Sequence, residues 1–147
     1  LREINPIVYG LNVKDYLYEE GGVFRIRLTF DSSKIENTFK ILSNELKIIK
    51  NELIKKKEID LIKNIMKKKL NMGSEDNMKI ARHYGDILSL DGKIVSYKDL
   101  IKKYNSVTPR DIKNLCNQIL DFNNCLVIQI GDVKKEIITK LYEKYFL

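Results

Sequence analysis

The sequence predicts an α+β domain, a mostly antiparallel sheet with helices packed on one face. Three observations point there: an alternating strand pair near the start, a middle dominated by helical periodicity, and a short β-branched run at residues 126–130. The chain has 147 residues, 44% of them hydrophobic, which suffices for an ordinary core. With no internal repeat, no low-complexity linker and only two prolines, residues 1–147 read as a single domain.

The first strand is expected over residues 7–17, a stretch rich in Ile, Val, Leu and Tyr that follows Pro6. Glu19-Glu20-Gly21-Gly22 then offers a turn in which two glycines are free to take positive φ. Over residues 23–30 the alternation is clean, with Phe24, Ile26, Leu28 and Phe30 on one face and Arg25, Arg27 and Thr29 on the other. This pattern predicts an antiparallel hairpin with one buried face.

Helices follow. Asp31-Ser32-Ser33 supplies N-cap oxygens, and Ile35, Phe39, Leu42, Leu46 and Ile49 form one apolar stripe, so this helix is expected to lie across the sheet. The next, over residues 56–72, carries Ile59, Ile62, Met66 and Leu70 on one side and stops at Gly73. Ser74-Glu75-Asp76 begins a third helix that runs through Ala81-Arg82-His83-Tyr84-Gly85-Asp86. Ser96-Tyr97-Lys98-Asp99 reads as a capping box with Asp in the Glu position, and Thr108-Pro109-Arg110-Asp111 starts a helix with proline at its first position. Residues 126–130 are uniformly apolar apart from Gln129 and read as an interior third strand. Residues 133–146 read as a terminal helix with Val133, Ile137, Leu141 and Tyr145 in register.

The net charge of +7 raises the question of nucleic acid. The cations are spread along helix faces, at Lys47, Lys50, Lys55, Lys56, Lys57, Lys63, Lys67, Lys68 and Lys69, with no aromatic residues interleaved as stacking platforms. We expect solvated helix faces and no nucleic-acid partner. No apolar run approaches the roughly 18 residues of a membrane span, so no span is expected. The sequence carries no leader pattern and leaves the compartment open.

Arg2 stands seven positions before Tyr9, at the entry to the first strand. With Leu1-Arg2-Glu3, Val8-Tyr9, Gly21-Gly22-Val23-Phe24, Val107-Thr108-Pro109-Arg110-Asp111-Ile112 and the closing Val127-Ile128-Gln129-Ile130-Gly131, the ordered set resembles the C-terminal part of a domain from the pitrilysin/insulysin-type zinc peptidases, which include the mitochondrial processing peptidases. The resemblance runs over roughly residues 1–132. It implies a LuxS/mitochondrial processing peptidase-like metallohydrolase fold, here lacking its first strand and helix, so that the domain is N-terminally truncated or completed by another chain.

In that family paired domains close around a peptide, one half carrying a zinc motif and a different domain carrying an arginine and a tyrosine at this offset. The resemblance therefore assigns Arg2 and Tyr9 to substrate binding and oxyanion support, in a substrate-binding domain of a zinc-dependent endopeptidase. Its partners would be a peptide or protein substrate and the zinc-bearing domain or subunit. Family members commonly have a glycine near the position of Pro6, and this departure leaves a second reading open: a non-catalytic structural or assembly subunit, as the core proteins of the bc1 complex are.

A zinc site needs about three protein ligands at defined spacing, and the sequence has one histidine, His83. Any zinc would therefore be bound by another domain or subunit and none by this chain. His83 sits among Ile80, Tyr84, Ile87 and Leu88 on a helix, which favours packing over a shared zinc ligand or a pH-sensitive contact. Cys116 and Cys125 lack metal-knuckle or redox spacing and are expected to be buried thiols in a reducing compartment.

Overall fold

The computed structural model describes residues 7–147, apart from the side chains of residues 90 and 91. Among the described residues, strands β1 (Val8–Tyr18) and β2 (Gly21–Phe30) form a two-stranded antiparallel sheet, followed by a single 3-10 turn and six helices. These are α1 (Ile35–Asn51), α2 (Lys56–Gly73), α3 (Asn77–Asp91), α4 (Tyr97–Ser106), α5 (Pro109–Ile119) and α6 (Lys135–Phe146). The α+β class stands. The chain divides into two compact units, one of the residues up to Tyr16 with Val23–Glu52 and Asn114–Leu147, the other of Leu17–Gly22 with Leu53–Lys113.

The hairpin turns on Glu19 and Glu20 alone, and neither Gly21 nor Gly22 takes a positive φ. Both glycines are strand residues of β2, because a two-residue turn can close with negative φ throughout. This register sets Gly10 opposite Thr29, where a Cβ on the glycine would lie 3.6 Å from Thr29 Oγ1. Tyr9, Leu11 and Val13 thus share a face with Phe30, Leu28 and Ile26. On the opposite face the Arg25 guanidinium lies 4.7 Å from the centre of the Tyr16 ring.

The expected third strand is absent from the sheet. Residues 126–130 join no strand among the described residues, and Leu126, Ile128 and Ile130 are 81%, 76% and 95% exposed. The composition of this segment suits a strand, but strand pairing is a long-range event and none of the described residues supplies the neighbouring backbone. The expectation of a buried sheet face is met only in part: Ile26, Leu28 and Phe30 of β2 are half-buried, while Tyr9, Leu11, Val13, Leu17 and Phe24 remain exposed. The helices bury their apolar faces chiefly on one another.

In the first unit α1 packs on α6. The predicted stripe of α1 is half-buried, while the residues most completely enclosed are Thr38 and Ser43. Thr38 donates its hydroxyl to the carbonyl of Lys34 at 3.0 Å, which satisfies the group within its own helix. Phe146 of α6 is buried against Phe39, Phe122 and Tyr142, with ring centres 6.0, 5.3 and 5.0 Å away. The core face of α6 is therefore Leu141, Tyr142 and Phe146, and Ile137 of the predicted register is exposed.

In the second unit α2 packs on α4 around Ile59. Asp76 caps α3 by accepting from the main-chain N–H groups of Met78 and Lys79, and Gly92 closes the helix with φ of 65°, a left-handed position that favours glycine. The predicted capping box at Ser96 forms, and the predicted helix start at Thr108 closes as a second one. Ser96 and Asp99 exchange bonds of 2.7 and 3.1 Å, and Thr108 and Asp111 exchange three of 2.7 to 3.2 Å.

Candidate functional site

Of the two residues assigned to substrate binding, Arg2 lies outside the described residues, as does Pro6. Tyr9 is the second residue of β1. Its predecessors Ile7 and Val8 are 8% and 4% exposed and anchor the start of the strand. Because side chains alternate along a strand, fixing Val8 inward turns Tyr9 to the other face, where it is 67% exposed. There it heads a row of apolar side chains, Leu11 and Val13 on its own strand and Phe30, Leu28 and Ile26 across from it. The phenol is thus an accessible O–H beside a partly exposed apolar surface.

His83 is a packing residue. Its ring lies 4.5 Å from that of Tyr97 and 5.4 Å from that of Tyr84, joining α3 to the first turn of α4. Tyr97 in turn rests over Gly73, where a Cβ would come within 3.6 Å of its hydroxyl. His83 Nε2 is enclosed with no hydrogen-bond partner.

The cysteines differ from expectation in one case. Cys116 is buried in α5, where desolvation pushes its thiol up, whereas Cys125 is exposed beside the solvated residues 126–130. The sequence places Cys125 at the start of a buried strand, and the thiol loses its cover with that strand. Burial, together with hydrogen bonding to Cys125, raises the nearby Tyr142 phenol well above the ordinary tyrosine range. The Tyr142 hydroxyl donates to the carbonyl of Phe122.

Among the described residues no three His, Cys, Asp or Glu side chains are grouped so as to hold a metal ion. The one histidine lies against the rings of Tyr97 and Tyr84. Among the described residues, no helix is long and apolar enough to cross a membrane.

Two features of the surface escape the sequence reading. The openness of the hairpin's apolar face has no local signal, since exposure depends on what the remainder of the fold covers. A second apolar stripe on α2, formed by Leu61, Ile65 and Met72, does have one in its helical spacing, but the stripe through Ile59 dominates the same segment. The sequence matches no protein-family model, and no curated protein matches it significantly.

Proposed function

We propose that this chain is the substrate-binding, transition-state-supporting part of a zinc-dependent endopeptidase, acting with a zinc site on another domain or subunit. The observation that carries the reading is the exposed Tyr9 phenol beside Leu11 and Val13 on the partly open apolar face of the hairpin. Zinc, when bound on the partner, supplies Lewis-acid polarisation and an activated water.

The chain's own task is to hold substrate and stabilise charge. Peptide hydrolysis places negative charge on the carbonyl oxygen, and a fixed phenol O–H donates a hydrogen bond to it most strongly where water is excluded. Leu11, Val13, Phe30 and their neighbours provide such a surface once a second body closes over it. Arg2 would add a guanidinium, whose charge-assisted hydrogen bonds are stronger than neutral ones.

The test is cleavage of a quenched-fluorescent peptide library by the intact protein with its co-purifying partner, comparing wild type with Tyr9→Phe and Arg2→Ala. Chelator-sensitive cleavage that drops about a hundredfold with either change supports the reading. Peptide or subunit binding without cleavage assigns the chain instead to the non-catalytic relatives that build assemblies.

A further inference from the structure

Helix α2 has two apolar faces, and only one is used. Ile59 is buried and Met66 and Leu70 half-buried toward α4, but Leu61, Ile65 and Met72 are 61%, 43% and 70% exposed. At about 100° per residue these three fall within about 40° of one another, with Ile62, 50% exposed, about 60° further round. Lys57 and Lys68 flank this stripe on one side, and Glu58 and Lys69 lie on the other, between it and Ile62. Among the described residues none of the exposed Lys56, Lys57, Lys67, Lys68 and Lys69 forms an ion pair.

We propose that this second face of α2 docks on an anionic phospholipid surface, with the helix lying in the interface plane. Unpaired ammonium groups complement anionic headgroups, and the aliphatic side chains between them enter the acyl boundary. A nucleic acid would leave Leu61, Ile65 and Met72 without a role and would find no aromatic platform beside the lysines. A partner helix needs an unbroken apolar stripe about 100° wide; Leu61, Ile65 and Met72 span only about 40°, and the wider arc to Ile62 is broken by Glu58 and Lys69. A bilayer tolerates both features, because lysine stems lie along the apolar layer while their charges reach up to the headgroups.

The experiment is co-sedimentation of the full chain with vesicles of equimolar phosphatidylcholine and phosphatidylserine, and with phosphatidylcholine alone. Binding should require phosphatidylserine and weaken with added salt. The double substitution Leu61→Gln with Ile65→Gln should weaken it about tenfold or more, as should Lys68→Gln with Lys69→Gln, while Lys134→Gln with Lys135→Gln should leave it unchanged. All six positions are exposed, and circular dichroism checks that the helices survive. Binding that survives the Leu61 and Ile65 changes, or that falls equally with the Lys134 and Lys135 changes, overturns the proposal in favour of unspecific cationic adsorption. Failure to bind vesicles overturns it outright, as does capture of an acidic amphipathic peptide without vesicle binding.

Discussion

Lys47 Nζ donates to the main-chain carbonyl of Tyr145 at 2.6 Å, so a side chain from α1 satisfies one of the last carbonyls of α6. The Ser43 hydroxyl donates to the same oxygen. The arrangement recurs: Lys50 reaches the carbonyl of Leu120 just past α5 at 2.7 Å, and Lys63 of α2 reaches that of Asn105 in α4 at 2.7 Å. Carbonyls at helix ends lack intrahelical partners and carry partial negative charge, so a flexible ammonium is well suited to them.

Ser43→Ala should therefore destabilise the first unit by about 1 kcal/mol, because the hydroxyl is buried and its loss leaves the Tyr145 carbonyl to Lys47 alone. Lys47→Met should cost less, since its ammonium is solvated. Urea denaturation measures both, and a larger loss for Lys47→Met would show that the charge and not the buried hydroxyl closes the helix.

The capping carboxylates predict an acid limb. Hydrogen bonds from Thr108 hold Asp111 below the usual carboxylate range, bonds from Ser96 and Lys102 do so for Asp99, and those from Lys79 and Met78 do so for Asp76. A carboxyl whose folded pKa is lowered contributes fully above its unfolded value, near 4, and the contribution disappears as pH falls through the folded value. Asp111→Asn should lower the denaturation midpoint at about pH 7 and leave it nearly unchanged near pH 2. Equal losses at both pH values would refute the linkage.

These helix starts were legible in the sequence because their signals are local: Ser96 and Asp99 are three residues apart and need no other element to meet. The hairpin was legible for a similar reason, its strands being joined by two residues. What failed was non-local. Residues 126–130 have the composition of an interior strand, yet composition does not supply a neighbour, and the segment stays in solvent. At α6 the expected register holds only at Leu141 and the half-buried Tyr145: Val133 precedes the helix, Ile137 is exposed, and Phe146 packs into the ring cluster of Phe39, Phe122 and Tyr142. Tyr9 is singled out by its spacing from Arg2, whereas its exposure follows from the burial of Val8, which only the fold reveals.

His83 carries an enclosed nitrogen without a partner while its ring makes two aromatic contacts. His83→Phe should keep the contacts and remove the unsatisfied atom, stabilising the second unit by about 1 kcal/mol. His83→Ala should lose the ring packing on Tyr97 and Tyr84 and destabilise by about 2 kcal/mol. Thermal denaturation of the two variants separates these effects, and a destabilised phenylalanine variant would mean that Nε2 makes a bond to solvent or to a partner.

Residues 126–130 combine high β-propensity and no charge with strongly exposed Leu126, Ile128 and Ile130, features that pair edge to edge between molecules. Ile128 is 76% exposed and contributes little to the folded core. Ile128→Lys should therefore leave the denaturation midpoint within about 0.5 kcal/mol of wild type while slowing aggregation at high concentration, measured by light scattering. A loss of several kcal/mol would show instead that Ile128 is buried in solution, which would restore the third strand to the sheet.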